Sequence, residues 1–275
     1  MKKVWTTALL GVALTGLVGC AQQLLGATAK ERIERTVPLN KGGTFSLDNV
    51  NGKVIVTLAK GDEVHIVAEK MVRAMEESKA KENLSRLEVA IESTPQTIRV
   101  ESRFPKSPGL FSSVGFSGSV DYTVEVPAGT RIQLSSVNGP ITVDAPGSEV
   151  SCETTNGSVE VIKAELLKAA TVNGKIRFDA ENIEEINSTN GGIDGSIRSA
   201  APSRGKVGTV NGHVSIALSP KAALRVEAEN VNGGLSSDLP GISRSKHSLQ
   251  GDLNGGGKTL AIETVNGGIH IKPVS

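Results

Sequence analysis

Aromatic residues, cysteine and net charge are all scarce in this chain, and each shortage removes a class of function. Among 275 residues there are one Trp, one Tyr and five Phe, and the tryptophan, Trp5, lies in the N-terminal segment. A groove that stacks sugar rings needs more aromatic surface than that. The only cysteines are Cys20 and Cys152. The four histidines, His65, His213, His247 and His270, are scattered, with no His-x-x-x-His or paired-cysteine spacing, so they read as surface residues and no metal site or cofactor is expected. Long apolar runs are missing except at the start of the chain.

There, Met1-Lys2-Lys3 precedes an apolar stretch from Val4 to Val18 and the chain reaches Leu17-Val18-Gly19-Cys20. A basic end, an apolar segment too short to span a bilayer and small residues at a cleavage point make a secretory signal. The Leu-Val-Gly-Cys box resembles that of bacterial lipoproteins, which implies that residues 1–19 are removed and that Cys20 carries the lipid. Two or more acyl chains attach a protein stably to a membrane that it does not cross. Ala21 stands where sorted lipoproteins place Asp for inner-membrane retention, so the resemblance implies the outer membrane if the cell has two.

Removing the signal takes Lys2 and Lys3 with it and leaves 28 basic against 29 acidic residues. That balance argues against nucleic acid as a partner and against polybasic binding to a membrane surface. With Cys20 lipidated, Cys152 has no disulfide partner.

What the chain has in quantity is Asn-Gly. Eight copies of one phrase carry it: Asn51, Asn138, Asn156, Asn173, Asn190, Asn211, Asn232 and Asn266 are each followed by Gly. From Asn138 the steps are 18, 17, 17, 21, 21 and 34, the last being twice 17, which is the signature of a repeat protein. Three residues after each Asn stands an aliphatic, from Val54 and Ile141 to Leu235 and Ile269. Five after it are mostly apolar residues, from Val56 to Ile271, and four before it another apolar column runs from Leu47 through Cys152 to Ile262. The alternation predicts short strands with one inward face on both sides of each corner. Two before each Asn stands a small hydrogen-bonding residue: Asn49, Ser136, Thr154, Thr171, Ser188, Thr209, Asn230 or Thr264.

Two architectures fit. Asn-Gly between alternating strands is a hairpin signal and allows an antiparallel meander. In a parallel β-solenoid each corner instead stacks on an identical corner about 4.8 Å away. Like side chains then bond to like up the stack, which explains the constant columns and makes the solenoid the expected all-β fold. On this reading Gly supplies positive φ at the corner, and about seven rungs from Ile132 onward build a rod roughly 30–40 Å long, interrupted by an irregular insertion between Leu239 and Gly257. Upstream, residues 20–33 read as a polar tether or short helix and 34–130 as strands, one helix and a loop. The helix is expected within Met71–Leu87, with Ser78 as cap and Ala80, Leu84 and Leu87 facing inward. The repeats occupy 131–275.

Val120-Asp121-Tyr122-Thr123-Val124-Glu125-Val126-Pro127-Ala128-Gly129, then Leu134-Ser135-Ser136-Val137-Asn138-Gly139 and the repeated Thr-Val-Asn-Gly phrases, together resemble a bacterial adhesin-like domain family of unknown function, related to the head domain of auto-transporter adhesins. The resemblance covers nearly all of the mature chain. It implies a right-handed β-helical envelope protein and transfers no functional residues.

No catalytic cluster stands out. Cys152 falls in an inward column, Glu184, Glu185 and Asp194 are candidate groove acids or parts of a solvated face, and Gly255-Gly256-Gly257-Lys258 reads as a turn. The loop Phe104–Phe116 gathers Phe104, Leu110, Phe111 and Phe116, either as a contact site or as a cover for the end of the stack. The expected function is non-enzymatic: adhesin-like binding or scaffolding in the envelope, with a protein or cell-surface partner. The competing readings are a β-helical polysaccharide-processing enzyme and an envelope-stress sensor acting through a protein partner.

Overall fold

A computed structural model describes residues 26–105 and 117–274. Among them the chain is all β apart from one helix, and 21 strands join in one large sheet that does not close into a barrel.

The Asn-Gly corners organise that sheet. The strand entering each corner pairs in parallel and in register with its equivalents, so that Asn156 lies opposite Asn138 on one side and Asn173 on the other. The segments leaving the corners form a second parallel ladder, with Val159 opposite both Ile141 and Ile176. Where two strands joined by a corner pair with each other, as Glu149–Asn156 does with Val159–Asn173, they run parallel and one repeat apart, so these are not hairpins. Two of the three inward columns are complete, while the one five residues after each Asn is interrupted at half-buried Gly195 and Ser237. Those three after each Asn and four before it are buried throughout, and they merge into one contiguous core. Each such aliphatic contributes about 1.5–3 kcal/mol, which a single rung cannot accumulate without neighbours above and below.

The order of stacking departs from the order of the sequence. Along the ladder the asparagines run 51, 138, 156, 173, 190, 211, 266, 232. The strand Lys258–Asn266 pairs with Gly205–Asn211 on one side and with Leu224–Asn232 on the other, so the last repeat slots between the two before it. The stretch expected to be irregular is what allows this. Its strand Ser248–Leu253 turns back antiparallel along Leu224–Glu229 and covers the outer edge of that rung, leaving the inner edge to the C-terminus.

At the other end, Ala27–Pro38 runs antiparallel to Glu63–Ala74, which runs antiparallel to Ser117–Val126. From Ala27 onward, the segment expected as a tether or short helix is therefore an edge strand. Its alternating Lys, Glu and Arg residues blunt that edge against further pairing. The helix is Glu77–Arg86, shorter than the expected span because Met71–Ala74 continues the preceding strand. Ser78 is not its cap: it lies within the first turn and its hydroxyl bonds the Glu76 carboxylate. Ala80, Leu84 and Leu87 are buried as their spacing predicts.

Candidate functional site

The eight corner asparagines form one continuous amide ladder. Each Nδ2 donates to the Oδ1 of the next asparagine toward Asn51, at 2.8–3.1 Å, from Asn232 through Asn266 and Asn211 to Asn138. Asn51 closes the series by donating to Gly118 O at 3.2 Å. Beside it, seven of the eight phrase glycines donate their N–H to the backbone oxygen of the asparagine in the following rung, at 2.8–3.2 Å.

The hydroxyl column works differently from the expected like-to-like pairing. Thr154, Thr171, Ser188, Thr209 and Thr264 are buried, and each donates to the carbonyl of the phrase glycine in the neighbouring rung at 3.0–3.3 Å. Ser136 is the exception. The equivalent acceptor, Gly52 O, already receives Asn49 Nδ2, and Ser136 Oγ is left without a partner. These bonds require the glycines to come close. A Cβ at Gly157, Gly174, Gly191, Gly212 or Gly267 would collide with the carbonyl of the glycine in the adjacent rung. None of these five has positive φ, whereas Gly52, Gly139 and Gly233 do, at 120°, 155° and 138°. The dominant requirement for glycine is thus close backbone approach, not the left-handed conformation expected from the sequence.

Outward from the ladder lies the feature that the sequence reading missed. The residue before each Asn is Val or Thr, and Val137, Val172, Val210, Val265 and Val231 are exposed large apolar side chains on one face. Beside them a groove of about 890 Å³ crosses six rungs, from Thr155 to Val231, or about 24 Å at the sheet spacing. Its floor is made of small residues three before each Asn, Ala170, Asn187 and Gly208, and its ends carry Glu153 at one side and Glu229 and Glu263 at the other. Lys206 pairs with Glu263 at 3.1 Å, and His247 stands at the same end. The Val/Thr column was visible in the sequence as the second letter of the repeated phrase; the small residues behind it follow no rule that marks a groove.

A second, smaller groove of about 350 Å³ lies on the strands leaving the corners, with Glu160, Arg177, Asp179, Asp194 and Lys272 around Gly195, Ser196 and Ala217. Two of its three acids, Asp179 and Asp194, are committed to cations. Arg198 grips Asp179 through Nε and Nη2. Burial pushes the Asp194 carboxyl up, but the Lys175 ammonium and then His213 outweigh it and hold the group below its usual range. A general acid in glycoside hydrolysis needs the opposite, a carboxyl kept protonated near neutral pH. Glu184 and Glu185 flank Lys168 at 3.5 and 3.7 Å and do not join Asp194.

Three histidines bridge adjacent strands on the surface: His65 to Thr36 and Glu34, His213 to Asp194, and His270 to Ser236 and Asp238. Among the described residues no group of His, Cys, Asp and Glu is arranged to hold a metal ion. Cys152 is buried in its inward column, and desolvation pushes its thiol far up. Asn254-Gly255-Gly256 is a turn with positive φ at all three residues. Phe104 packs partly buried against the core, while Leu110, Phe111, Phe116 and Cys20 lie outside the described residues. No helix of the described residues is long and apolar enough to cross a membrane.

No protein-family model matches the chain, and no curated protein matches it. Among solved structures it is similar to a "putative cell adhesion protein" from Clostridium sporogenes, 13% identical, covering 89% of this chain and 100% of that one, with a TM-score of 0.33. It is also similar to a "putative adhesin" from Bacteroides fragilis, 10% identical over 90% and 98% of the two chains with a TM-score of 0.39. A third is a "putative lipid binding protein" from Parabacteroides distasonis, 8% identical over 89% and 97% with a TM-score of 0.30. Similarity at this level identifies neither a family nor a function for the chain.

Proposed function

We propose that the chain is a lipid-anchored, non-enzymatic β-solenoid of the cell envelope, attached through Cys20 to the outer membrane where the cell has two, and that its corner face binds an extended segment of a partner protein. The observation that supports this best is the groove beside the Val/Thr column. It runs unbroken across six rungs, has a floor of small side chains, and offers apolar walls that no other described residue covers. It contains no aromatic residue, which favours an extended polypeptide over a stacked glycan. Its acidic ends favour a segment with basic flanks.

The test uses a photocrosslinking side chain at Val172 or Val210 in intact cells, with the same probe at Ser215 on the other ladder as control. A discrete protein adduct from the groove positions alone, abolished by Gly208→Arg, is expected. Gly208 is suited to this because a Cβ there comes no closer than 3.0 Å to any atom, and that atom is the end of the Asn187 side chain. Adducts of equal yield at Ser215, a glycan adduct, or indifference to Gly208→Arg would overturn the assignment.

The second groove favours a polysaccharide-processing enzyme as the competing reading, because Asp, Arg and Lys converge there. Hydrolysis of envelope glycans that is lost in Asp179→Asn and Asp194→Asn, with folding retained, would establish it.

A further inference from the structure

An Asn-Gly bond is a chemical liability as well as a corner. The glycine nitrogen can attack the asparagine side chain, and glycine offers no side chain to hinder it. Eight phrase copies share this local sequence, yet the ladder does not treat them alike. At an interior corner such as Asn173 the side-chain amide is bonded on both sides, donating to Asn156 and accepting from Asn190, and the Gly174 N–H donates to Asn190 O. Attack requires all three bonds to be released. Asn51, at one end, is equally tied, since its amide donates to Gly118 O and accepts from Asn138 while Gly52 N–H donates to Asn138 O.

Asn232, at the other end, is not. Its Nδ2 donates to Asn266 Oδ1 at 3.1 Å, the longest link in the ladder. Its Oδ1 accepts from no described residue, and Gly233 is the one phrase glycine whose N–H donates to none. Both Asn232 and Gly233 are exposed. This asymmetry follows from the strand order. Because the last repeat slots in ahead of it, the Asn232 rung is the last, and the antiparallel strand covering its edge pairs only with residues up to Glu229 and stops short of the corner.

We propose that Asn232 is a site of spontaneous modification, deamidating ahead of every other Asn-Gly in the chain. The Gly233 nitrogen, losing its proton to solvent, bonds to Asn232 Cγ. The Cγ–Nδ2 bond breaks, and the nitrogen leaves as ammonia after taking a proton from water. Water then opens the resulting cyclic imide to aspartate or isoaspartate. The product places a carboxylate opposite the Asn266 Oδ1 where an N–H stood, so the terminal link of the ladder is lost and negative charge is added at the end of the groove that already carries Glu229 and Glu263. Two fewer hydrogen bonds to release correspond to a rate advantage of roughly thirtyfold over an interior corner. Asn254-Gly255 lies outside the repeated phrase, and there Asn254 Nδ2 is pinned by Pro220 O and Ala222 O at 3.0 and 2.9 Å.

The experiment is peptide mapping by mass spectrometry of the folded protein, incubated at mildly alkaline pH and sampled over time, with a parallel incubation in urea. Asn232 is expected to convert at least about tenfold faster than Asn156, Asn173, Asn190 and Asn211, and ahead of Asn254. In urea the spread should collapse, since the local sequences are nearly the same. Equal rates at all corners in the folded protein, Asn254 outrunning Asn232, or a spread that persists in urea would each overturn the proposal.

Discussion

Replacing Gly174 with alanine tests what holds the rungs together. Gly174 does not have positive φ, so backbone conformation alone would make alanine neutral or stabilising by about 0.4–1 kcal/mol through the unfolded state. The contacts point the other way. The new Cβ would lie 2.5 Å from the Gly157 carbonyl carbon and closer still to its oxygen, about 1 Å short of ordinary carbon contact. Relief requires the Asn156 and Asn173 rungs to part at the corner. Four bonds span that gap: Gly157 N to Asn173 O, Val159 N to Lys175 O, Thr171 Oγ1 to Gly157 O, and Asn173 Nδ2 to Asn156 Oδ1. At about 1 kcal/mol each the expected loss is about 3–4 kcal/mol. Two controls separate the causes. Gly61→Ala meets nothing within 4 Å and lacks positive φ, so it should be neutral. Gly42→Ala also has open space but φ of 74°, and should cost about 1 kcal/mol. Urea unfolding followed by circular dichroism gives the three values. Hydrogen exchange at Val159 and Ile176 reports whether the loss is local, because stacked rungs can open independently. A Gly174→Ala protein within about 1 kcal/mol of the parent would refute close approach as the reason for the glycine column.

Two further predictions follow from single side chains. Thr171→Val keeps the shape but strips the donor from Gly157 O, and should cost about 1–2 kcal/mol in the same unfolding assay, whereas Ser136→Ala removes a hydroxyl that has no partner and should be neutral or slightly stabilising; the reverse ranking would contradict the hydrogen-bond assignment. Tyr122 is the only tyrosine, fully buried with its hydroxyl 2.6 Å from Ser102 Oγ, and burial pushes its pKa up to about 12 despite that bond. Its folded value lies above the unfolded value near 10, so the contribution is complete below about pH 10 and is lost as pH rises toward 12, amounting to roughly 2–3 kcal/mol. Tyrosinate absorbance should therefore appear together with unfolding of the N-terminal strands, and a titration centred at 10 in the folded protein would refute the burial argument.

The sequence carried the corners, the inward columns and the strand character of nearly every segment, because burial alternates with period two and leaves its mark residue by residue. Cys152, Leu134 and Ile262 could be placed in one column without coordinates for that reason. What it did not carry is information that lives between rungs. The partner of Thr171 is a glycine carbonyl fourteen positions away, not another hydroxyl, and a repeating column cannot say which of its neighbours accepts. Likewise the groove floor at Ala170, Asn187 and Gly208 is a coincidence of three small residues on adjacent strands, and nothing in any one repeat marks it. Ser78 was misread because a helix start was inferred from one polar residue, while the preceding strand persists to Ala74 through its pairing with Ala27–Pro38.

Strand order is the sharpest of these losses, and the chemistry of the corner explains it. Asparagine carries one amide donor and one amide acceptor at the same reach, so at about 4.8 Å spacing it is complementary to a copy of itself. The side-chain amides donate toward Asn51 while the glycine N–H groups donate toward Asn232, two hydrogen-bond chains running in opposite senses through every corner. Aspartate would break the first chain and a residue with a Cβ at the glycine position would break the second, which accounts for both letters of the dipeptide. A corner built this way accepts any other corner with equal geometry. The 34-residue step from Asn232 to Asn266 therefore fits two successive rungs or an excursion and return equally well. The choice falls to the hairpin strand Ser248–Leu253, which takes the outer edge of Leu224–Glu229 and leaves Asn266 no place but the one between Asn211 and Asn232.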